Sequence, residues 1–523
     1  MKNICIAILI FTFAAGLYAL TLRGGFGNAT TLSEANKLTQ VGQPFESSHE
    51  RSPYASMVAL MHGRVDLTTE WANFASPDVG YIGGKFYSFF PVGIPALMYP
   101  MYTLGTPYNL GLLGSYSTMA ILSLVSLCLL MLIARQVFKL PFWASVLCGL
   151  IFAFATSSWS YAVTIYQHAP TVTFMLFGFY VAWRYAKSSK FSWLWASLGG
   201  VSYGLAVFID YPNALLCAPS MVYMVLSSIR IRELQQSWSV KFRASVLAGI
   251  LLFSLIAAGH LYYNIQTFGS ALQFHNPAPR YTPETFDKLL EQLQDKKTTN
   301  KPSALSIFNE FSLGKGVYEL TVALDKGLFF YSPIFLFALW GLVKFKNKFK
   351  LEHAVFICMA FINFAMYASF SDPWGGWAFG PRYLIPTMAV LSIFAVIPIV
   401  TGGAIVLKKM LMLVFLAYSA GVAVVGVLTT NLVPPKIEAD YLHLKYNYLR
   451  NLDYISSNTT GNFIYNTYLN QRITLLQYAE VIFGVVILLF AFILFVLPLL
   501  YKKEKYAGLD GEVGANRRGE EHV

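Results

Sequence analysis

Apolar residues in this chain gather in long continuous runs, separated by short polar segments, and lack the alternating pattern of a half-buried strand or surface helix. Stretches such as 112–134, 244–263, 409–431 and 474–500 contain no cluster of charges. Each is long enough, at about 1.5 Å per residue, to cross roughly 30 Å of hydrocarbon. Lipid offers no hydrogen bonds, so a crossing segment must satisfy its own backbone and is predicted to be a helix. The runs predict an all-α polytopic membrane protein with about 12 transmembrane helices: 4–22, 112–134, 142–160, 168–186, 192–209, 213–229, 244–263, 327–343, 353–370, 383–400, 409–431 and 474–500.

The first run, Ile4 to Leu22, follows Lys2 and ends at Arg23 and Gly24 without a small-residue cleavage pattern. It is therefore read as a retained first helix and not a signal peptide. Positive charge then sets the orientation. Alternate loops carry Arg135 and Lys139; Arg184, Lys187 and Lys190; Arg230, Arg232, Lys241 and Arg243; Lys344, Lys346, Lys348 and Lys350; Lys408 and Lys409; and Lys502, Lys503 and Lys505. The short loops between them, near 161–167, 210–212 and 371–382, hold only Arg382. The positive-inside rule places both termini in the cytoplasm.

This parity requires Pro91 to Leu104 to stay out of the count. That stretch is short and carries Pro91, Pro95 and Pro100, so it is predicted as an interfacial or re-entrant segment. Residues 1–500 then form one transmembrane domain with extracytoplasmic loops 23–111, 264–326 and 432–473, the first being the large one. Within the second, 284–297 has Phe286, Leu289, Leu290 and Leu293 on one helical face. The polar tail, 501–523, is predicted to be disordered and cytoplasmic.

A content of 56% hydrophobic and 12% charged residues in 523 excludes a water-soluble globular domain. The net charge of +12 lies at the cytoplasmic helix ends, so it predicts contact with membrane lipids and no nucleic-acid partner. Cys5, Cys128, Cys148, Cys217 and Cys358 all fall in apolar spans, which argues against a disulfide framework.

Most of the 26 acidic residues and eight histidines fall in the outer loops or at their rim, so the chemistry is expected there. A transporter is expected to carry its charges nearer the midplane. The densest set is in the first loop: Ser48-His49-Glu50-Arg51-Ser52-Pro53-Tyr54-Ala55, then Asp66, then Asp78 through Tyr87, closing on Pro91-Val92-Gly93-Ile94-Pro95. A carboxylate in this loop can take a proton from an acceptor hydroxyl while nearby cations hold a phosphate leaving group. The same carboxylate also fits a solvated ion pair with Arg51.

Later in the chain stand Asp325-Lys326-Gly327 through Pro333, and Asp372-Pro373-Trp374-Gly375-Gly376-Trp377 through Leu384. Arg382 suits phosphate, because guanidinium is bidentate and keeps its charge, and it equally suits snorkelling to headgroups. Trp374 and Trp377 suit a sugar face or the interfacial aromatic belt. His168, His260 and His275 have no compact ligand spacing, so no metal site is predicted. The first-loop carboxylates leave a divalent cation possible as a cofactor.

On these residues the chain resembles the C-type (GT-C) membrane glycosyltransferases, in particular the protein O-mannosyltransferase and aminoarabinose transferase-like enzymes. Glu50 stands four residues before Tyr54, similar to that family's Glu-x-x-x-Tyr-like signature after the first helix. Tyr81 through Tyr87 and Pro91-Val92-Gly93 are similar to its Gly-x-Tyr-Tyr segment and juxtamembrane turn, with Phe90 where relatives commonly have lysine. The tracts Gly327 to Pro333 and Gly375 to Leu384 look like recurring segments of bacterial and archaeal members.

The resemblance implies an inverting transfer of one sugar from a polyprenyl-phosphate donor to a glycan, lipid or protein acceptor on the extracytoplasmic face. It implies Glu50 as the base, with Asp78 and Asp66 as alternates, and Arg382, Lys85 and Arg51 at the donor phosphate. Tyr54, Tyr87, Trp374, Trp377 and His275 would line the sugar or acceptor pocket. Two alternatives stay open. One is a polymerase or ligase using pyrophosphate-linked donors, for which the 264–326 loop offers only Arg280. The other is a lipid-linked sugar flippase or other transporter.

Overall fold

The computed structural model describes residues 2–188, 190–234, 237–269, 271, 279–294, 313–401 and 403–501. The chain is a mostly helical, multi-spanning membrane protein. Eight helices are long and apolar enough to cross a membrane: Asn3–Thr21, Gly111–Gln136, Ser192–Ile209, Val246–Thr267, Leu351–Ala368, Arg382–Val400, Ile405–Leu428 and Leu475–Tyr501. Helices also occupy the other four predicted spans, but Phe142–Phe154, Asn213–Leu226 and Phe335–Phe345 are shorter than the apolar runs that foretold them. Between Phe154 and Ser158 the chain turns, and Thr156 donates its hydroxyl back to the Phe152 carbonyl. The span expected at 327–343 is broken into Leu328–Tyr331 and Phe335–Phe345, with Pro333 at the break because proline has no N–H to continue the ladder.

Polar contacts collect at the two ends of the bundle. At one end Lys187 pairs with Glu352 at 3.2 Å, Arg243 donates to the Tyr185 carbonyl, and Tyr501 donates to Asn3. At the other lie the termini of the first helix and of Ile405–Leu428, joined through Arg23. Nearly all of the folded loop structure packs at this second end.

The segment with three prolines is a helix, Gly93–Gly105, folded back against the start of Gly111–Gln136. A Cβ at Gly114 would lie 2.2 Å from the Met101 carbonyl oxygen, so glycine is what lets the two backbones touch. Two antiparallel hairpins depart from the purely helical expectation. One pairs Val79–Ile82 with Lys85–Ser88 through Gly83 and Gly84, both at positive φ, a backbone glycine adopts without strain. The other pairs Ile229–Leu234 with Ser237–Phe242 in the basic loop.

The second long loop docks on the first hairpin. The Tyr281 backbone donates to the Val79 carbonyl at 2.8 Å, and the Phe86 ring stands 4.5 Å from Tyr281 and 5.7 Å from Phe286. The amphipathic segment forms a helix over Phe286–Gln294. The tail from Lys502 onward, and His275 with it, lies outside the described residues.

Candidate active site

Ser47 caps the helix Ser48–Met61: its hydroxyl accepts the His49 N–H at 3.2 Å, which places Glu50 in the first turn. Glu46 lies just ahead of the cap, outside the helix, and its carboxylate turns to the same side as that of Glu50. They face Arg23, the first polar residue after the first helix, and all three are buried, with Arg23 2% and Glu50 1% exposed.

The two carboxylates are held very differently. Glu46 accepts from Arg23 at 2.7 Å, from the Gly42 N–H at 2.8 Å and from the Asn431 N–H at 3.2 Å. Glu50 stands 3.9 Å from the Arg23 guanidinium, and neither of its oxygens makes a well-formed hydrogen bond, although the Ser47 and Ile165 backbones lie beside it. Burial pushes the Glu50 carboxyl up to about 8, against the pull of Arg23 and with a further push from Glu46. A buried carboxyl with free lone pairs that titrates near neutrality has the properties of a general base.

His49, beside Glu50, stacks on Tyr166 with ring centroids 4.1 Å apart, and its Nε2 meets the Gln167 side-chain oxygen at 2.7 Å. Burial and the nearby Arg382 charge keep this imidazole well below its ordinary range, hence neutral. The Arg382 guanidinium lies 5.5 Å from the centre of the same Tyr166 ring and 5.2 Å from that of Tyr383. It donates to the Gly375 carbonyl at 2.6 Å. Gly375 has φ +71, and a Cβ there would sit 2.9 Å from Arg382 Nε, so the close approach depends on glycine. Among the described residues no carboxylate pairs with Arg382, although it is only 9% exposed. A buried, unpaired cation is a place for an anion.

Beside His49 lies a small cavity of about 10 Å³, room for about one water, lined by His49, Phe90, Ile165, Gln167 and Asp210 among others. Burial pushes Asp210 up to about 7, opposed by Gln167 and Arg382. Asp210 is the carboxylate that lines this cavity, which Glu50 does not.

Lys326 holds the loop that carries Arg382. Fully buried, its ammonium donates to the carbonyls of Gly376, Ala378 and Val433. Burial and Arg382 together draw it down to about 7.

The structure brings Glu50 and Arg382 around Tyr166 and leaves most of the other expected residues elsewhere. Asp66 pairs with Arg64 at 2.8 Å on the exposed side of the first loop, near Lys85. Asp78 accepts from the Ser48 hydroxyl at 2.8 Å and faces Arg280 at 3.9 Å. Arg51 donates to the Ser76 carbonyl. Tyr54 is buried with its hydroxyl on the Asn28 carbonyl at 2.6 Å, and Tyr87 is buried in the hairpin. The Trp374 indole donates to Glu319 at 2.6 Å and the Trp377 indole to Glu438, so both brace the Arg382 loop through acidic partners. Arg23, Tyr166, Gln167 and Asp210 belong to the cluster without having been singled out as site residues. The only signal for Arg23 was a charge at the very end of an apolar run. Among the described residues no group of three or more His, Cys, Asp or Glu side chains stands close enough to hold a metal ion.

No protein-family model matches this chain, and no curated protein matches it. Among solved structures it is similar to the oligosaccharyltransferase of Archaeoglobus fulgidus. The apo form is 12% identical, with a TM-score of 0.43 over 89% of this chain and 60% of that one. The form described as a complex with zinc and sulfate is 12% identical, with a TM-score of 0.42 over 83% and 54%. The form described as AglB with an inhibitory peptide and a dolichol-phosphate is 13% identical, with a TM-score of 0.43 over 89% and 60%. The chain spans a little over half the length of those proteins. With so loose an overlap, function has to be read from this chain's own residues.

Proposed function

We propose that this protein is a membrane glycosyltransferase that moves one monosaccharide from a polyprenyl-phosphate donor to a hydroxyl of a glycan, lipid or protein acceptor, with inversion. The observation that supports the reading is a buried carboxyl with no well-formed hydrogen bond and a buried guanidinium with no carboxylate partner, both near Tyr166: His49, next to Glu50, stacks on that ring, and Arg382 lies 5.5 Å from its centre. In the reaction Glu50 takes the acceptor proton as the acceptor oxygen attacks the anomeric carbon. The bond from that carbon to the phosphate oxygen breaks, and its electron pair leaves on the phosphate. Arg382 lowers the cost of that charge. Trp374 and Trp377, through Glu319 and Glu438, position the loop that carries Arg382.

The positive-inside pattern supports placing this site on the extracytoplasmic face of the cell membrane. It supports 12 crossings as well, since the basic clusters fall in alternate loops. Arg51 and Lys85 are left as outlying charges that attract an anionic donor. A divalent cation remains a proposal without a built site among the described residues.

The test is transfer by purified protein in lipid, supplied with radiolabelled polyprenyl-phosphate monosaccharides and mixed acceptors. Consumption of one donor that is lost in both Glu50→Gln and Arg382→Ala is expected. Donor consumption undiminished in Glu50→Gln, or transfer from pyrophosphate-linked donors only, overturns the proposal.

A further inference from the structure

Next to the Arg23–Glu46 pair lies a second, open groove of about 490 Å³, within the usual range of ligand pockets. Its walls come from 24–25 and 38–44 on one side and 458–470 on the other. Gly42 lets them meet: it has φ +79, and a Cβ there would lie 2.7 Å from Thr459 Cγ2. Its N–H is the same one that holds Glu46.

The lining has a distinct chemistry. Phe463, Asn466, Thr467 and Asn470 follow one another at intervals of three, one and three residues, so they share one helical face. That face runs along a single π-turn, Tyr465–Leu469, a backbone form that is rare and concentrates at functional sites. None of the lining residues is charged. The side chains of Gln43, Thr467 and Asn470 make no hydrogen bond to the described residues, so their amides and hydroxyl are free for a ligand, while Phe463, 7% exposed and packed against Phe26, adds a small apolar patch. Phosphate or an anionic lipid would find no cation here, and a greasy chain would strand the amides.

We propose that this groove binds a neutral, hydroxyl-rich saccharide. Side-chain amides donate and accept at once and so match neighbouring sugar hydroxyls, and the ring carbons of a sugar suit a small apolar patch. Calling that saccharide the non-reacting part of the acceptor rests on the glycosyltransferase reading; the binding itself does not.

The test uses the full chain in lipid nanodiscs and short neutral glucans, mannans and galactans as probes, with binding followed by saturation-transfer NMR. At least one probe is expected to bind wild type, and the double variant Thr467→Val, Asn470→Ala to weaken it about tenfold at an unchanged melting temperature. Phe463→Leu is expected to weaken it also. Absence of binding by every probe, equal affinity in the double variant, or displacement of the probe from this site by a polar peptide that binds more tightly overturns the proposal. Donor consumption measured on the same samples separates the two readings. Saccharide binding that depends on Thr467 and Asn470 without consumption of any donor removes the glycosyltransferase and keeps the groove. Consumption without such binding removes the groove and keeps the enzyme.

Discussion

Glu46 and Glu50 stand on either side of the Ser47 cap and share a single guanidinium on unequal terms, 2.7 Å from Arg23 for the first and 3.9 Å for the second. The asymmetry divides their roles. Glu46 neutralises Arg23 and ties Gly42 and Asn431 to it, so it is structural. Glu50 is left with burial as its dominant influence, so its proton is the exchangeable one.

Glu50→Gln keeps the shape of the side chain and removes its basicity. We expect transfer to fall by about 10²–10⁴, the usual range for a positioned acid or base, with donor binding retained. Separate measurement of kcat and donor KM checks this. A loss confined to KM would remove Glu50 from the chemistry.

The same residue makes stability depend on pH. Its folded-state pKa, about 8, lies above the ordinary carboxyl value of 4.5, so between those values the folded protein holds a proton that the unfolded chain releases. Its contribution to stability is complete below about 4.5 and is lost as pH rises through about 8. Glutamine cannot ionise and escapes that loss. Melting curves of wild type and Glu50→Gln at several pH values should therefore diverge upward, with the variant gaining relative stability toward pH 9.

Glu46→Ala should behave in the opposite way. It strands a buried guanidinium and two backbone donors, and breaking a buried pair by removing one partner costs about 3–5 kcal/mol. Marked loss of thermal stability in detergent is expected, before any question of activity arises. A melting temperature within a degree or so of wild type would show that water reaches Arg23.

The long apolar runs were legible because lipid imposes length and apolarity with few exceptions, and a helix stands in each of the 12 predicted stretches. Breaks were harder to see: Thr156 and Ser158 return hydrogen bonds to the Phe152 carbonyl, and such local competition leaves no mark on hydropathy. The Gly83-Gly84 hairpin carries readable turn chemistry, but its strands are four residues each, too short for alternation to stand out. Glu50 was reachable only through a resemblance. Its partners come from the end of the first helix, from the 165–168 turn and from Asp210, and nothing in sequence spacing announces that these ends converge. Trp374 and Trp377 show the converse: their residue types suited a sugar, and their indole N–H groups went to Glu319 and Glu438.

Arg382→Lys tests whether the fork shape matters as well as the charge. The guanidinium spends one nitrogen on the Gly375 carbonyl at 2.6 Å and lies against Tyr166 and Tyr383, leaving further N–H groups for phosphate. An ammonium cannot serve the carbonyl and the phosphate with the same geometry, and hydrogen bonds to charged groups contribute about 1.5–3 kcal/mol. Donor KM should rise about 10- to 100-fold with a smaller change in kcat. Full rescue by lysine would reduce Arg382 to a point charge.

Lys326 supplies the last prediction, because it acts on Arg382 from behind. Its ammonium is buried among the Gly376, Ala378 and Val433 carbonyls, so Lys326→Met fills the space and leaves three acceptors without a donor. Each stranded buried group costs about 1–3 kcal/mol, partly offset by no longer burying a charge. The Gly376–Ala378 stretch then loses its anchor, and with it the adjoining Gly375 carbonyl that aims Arg382. Donor KM should rise in Lys326→Met much as in Arg382→Lys, and the double variant should be little worse than either single one, because residues acting through one contact do not add. Additive losses in that cycle would mean that Lys326 supports the fold alone and has no part in aiming the guanidinium.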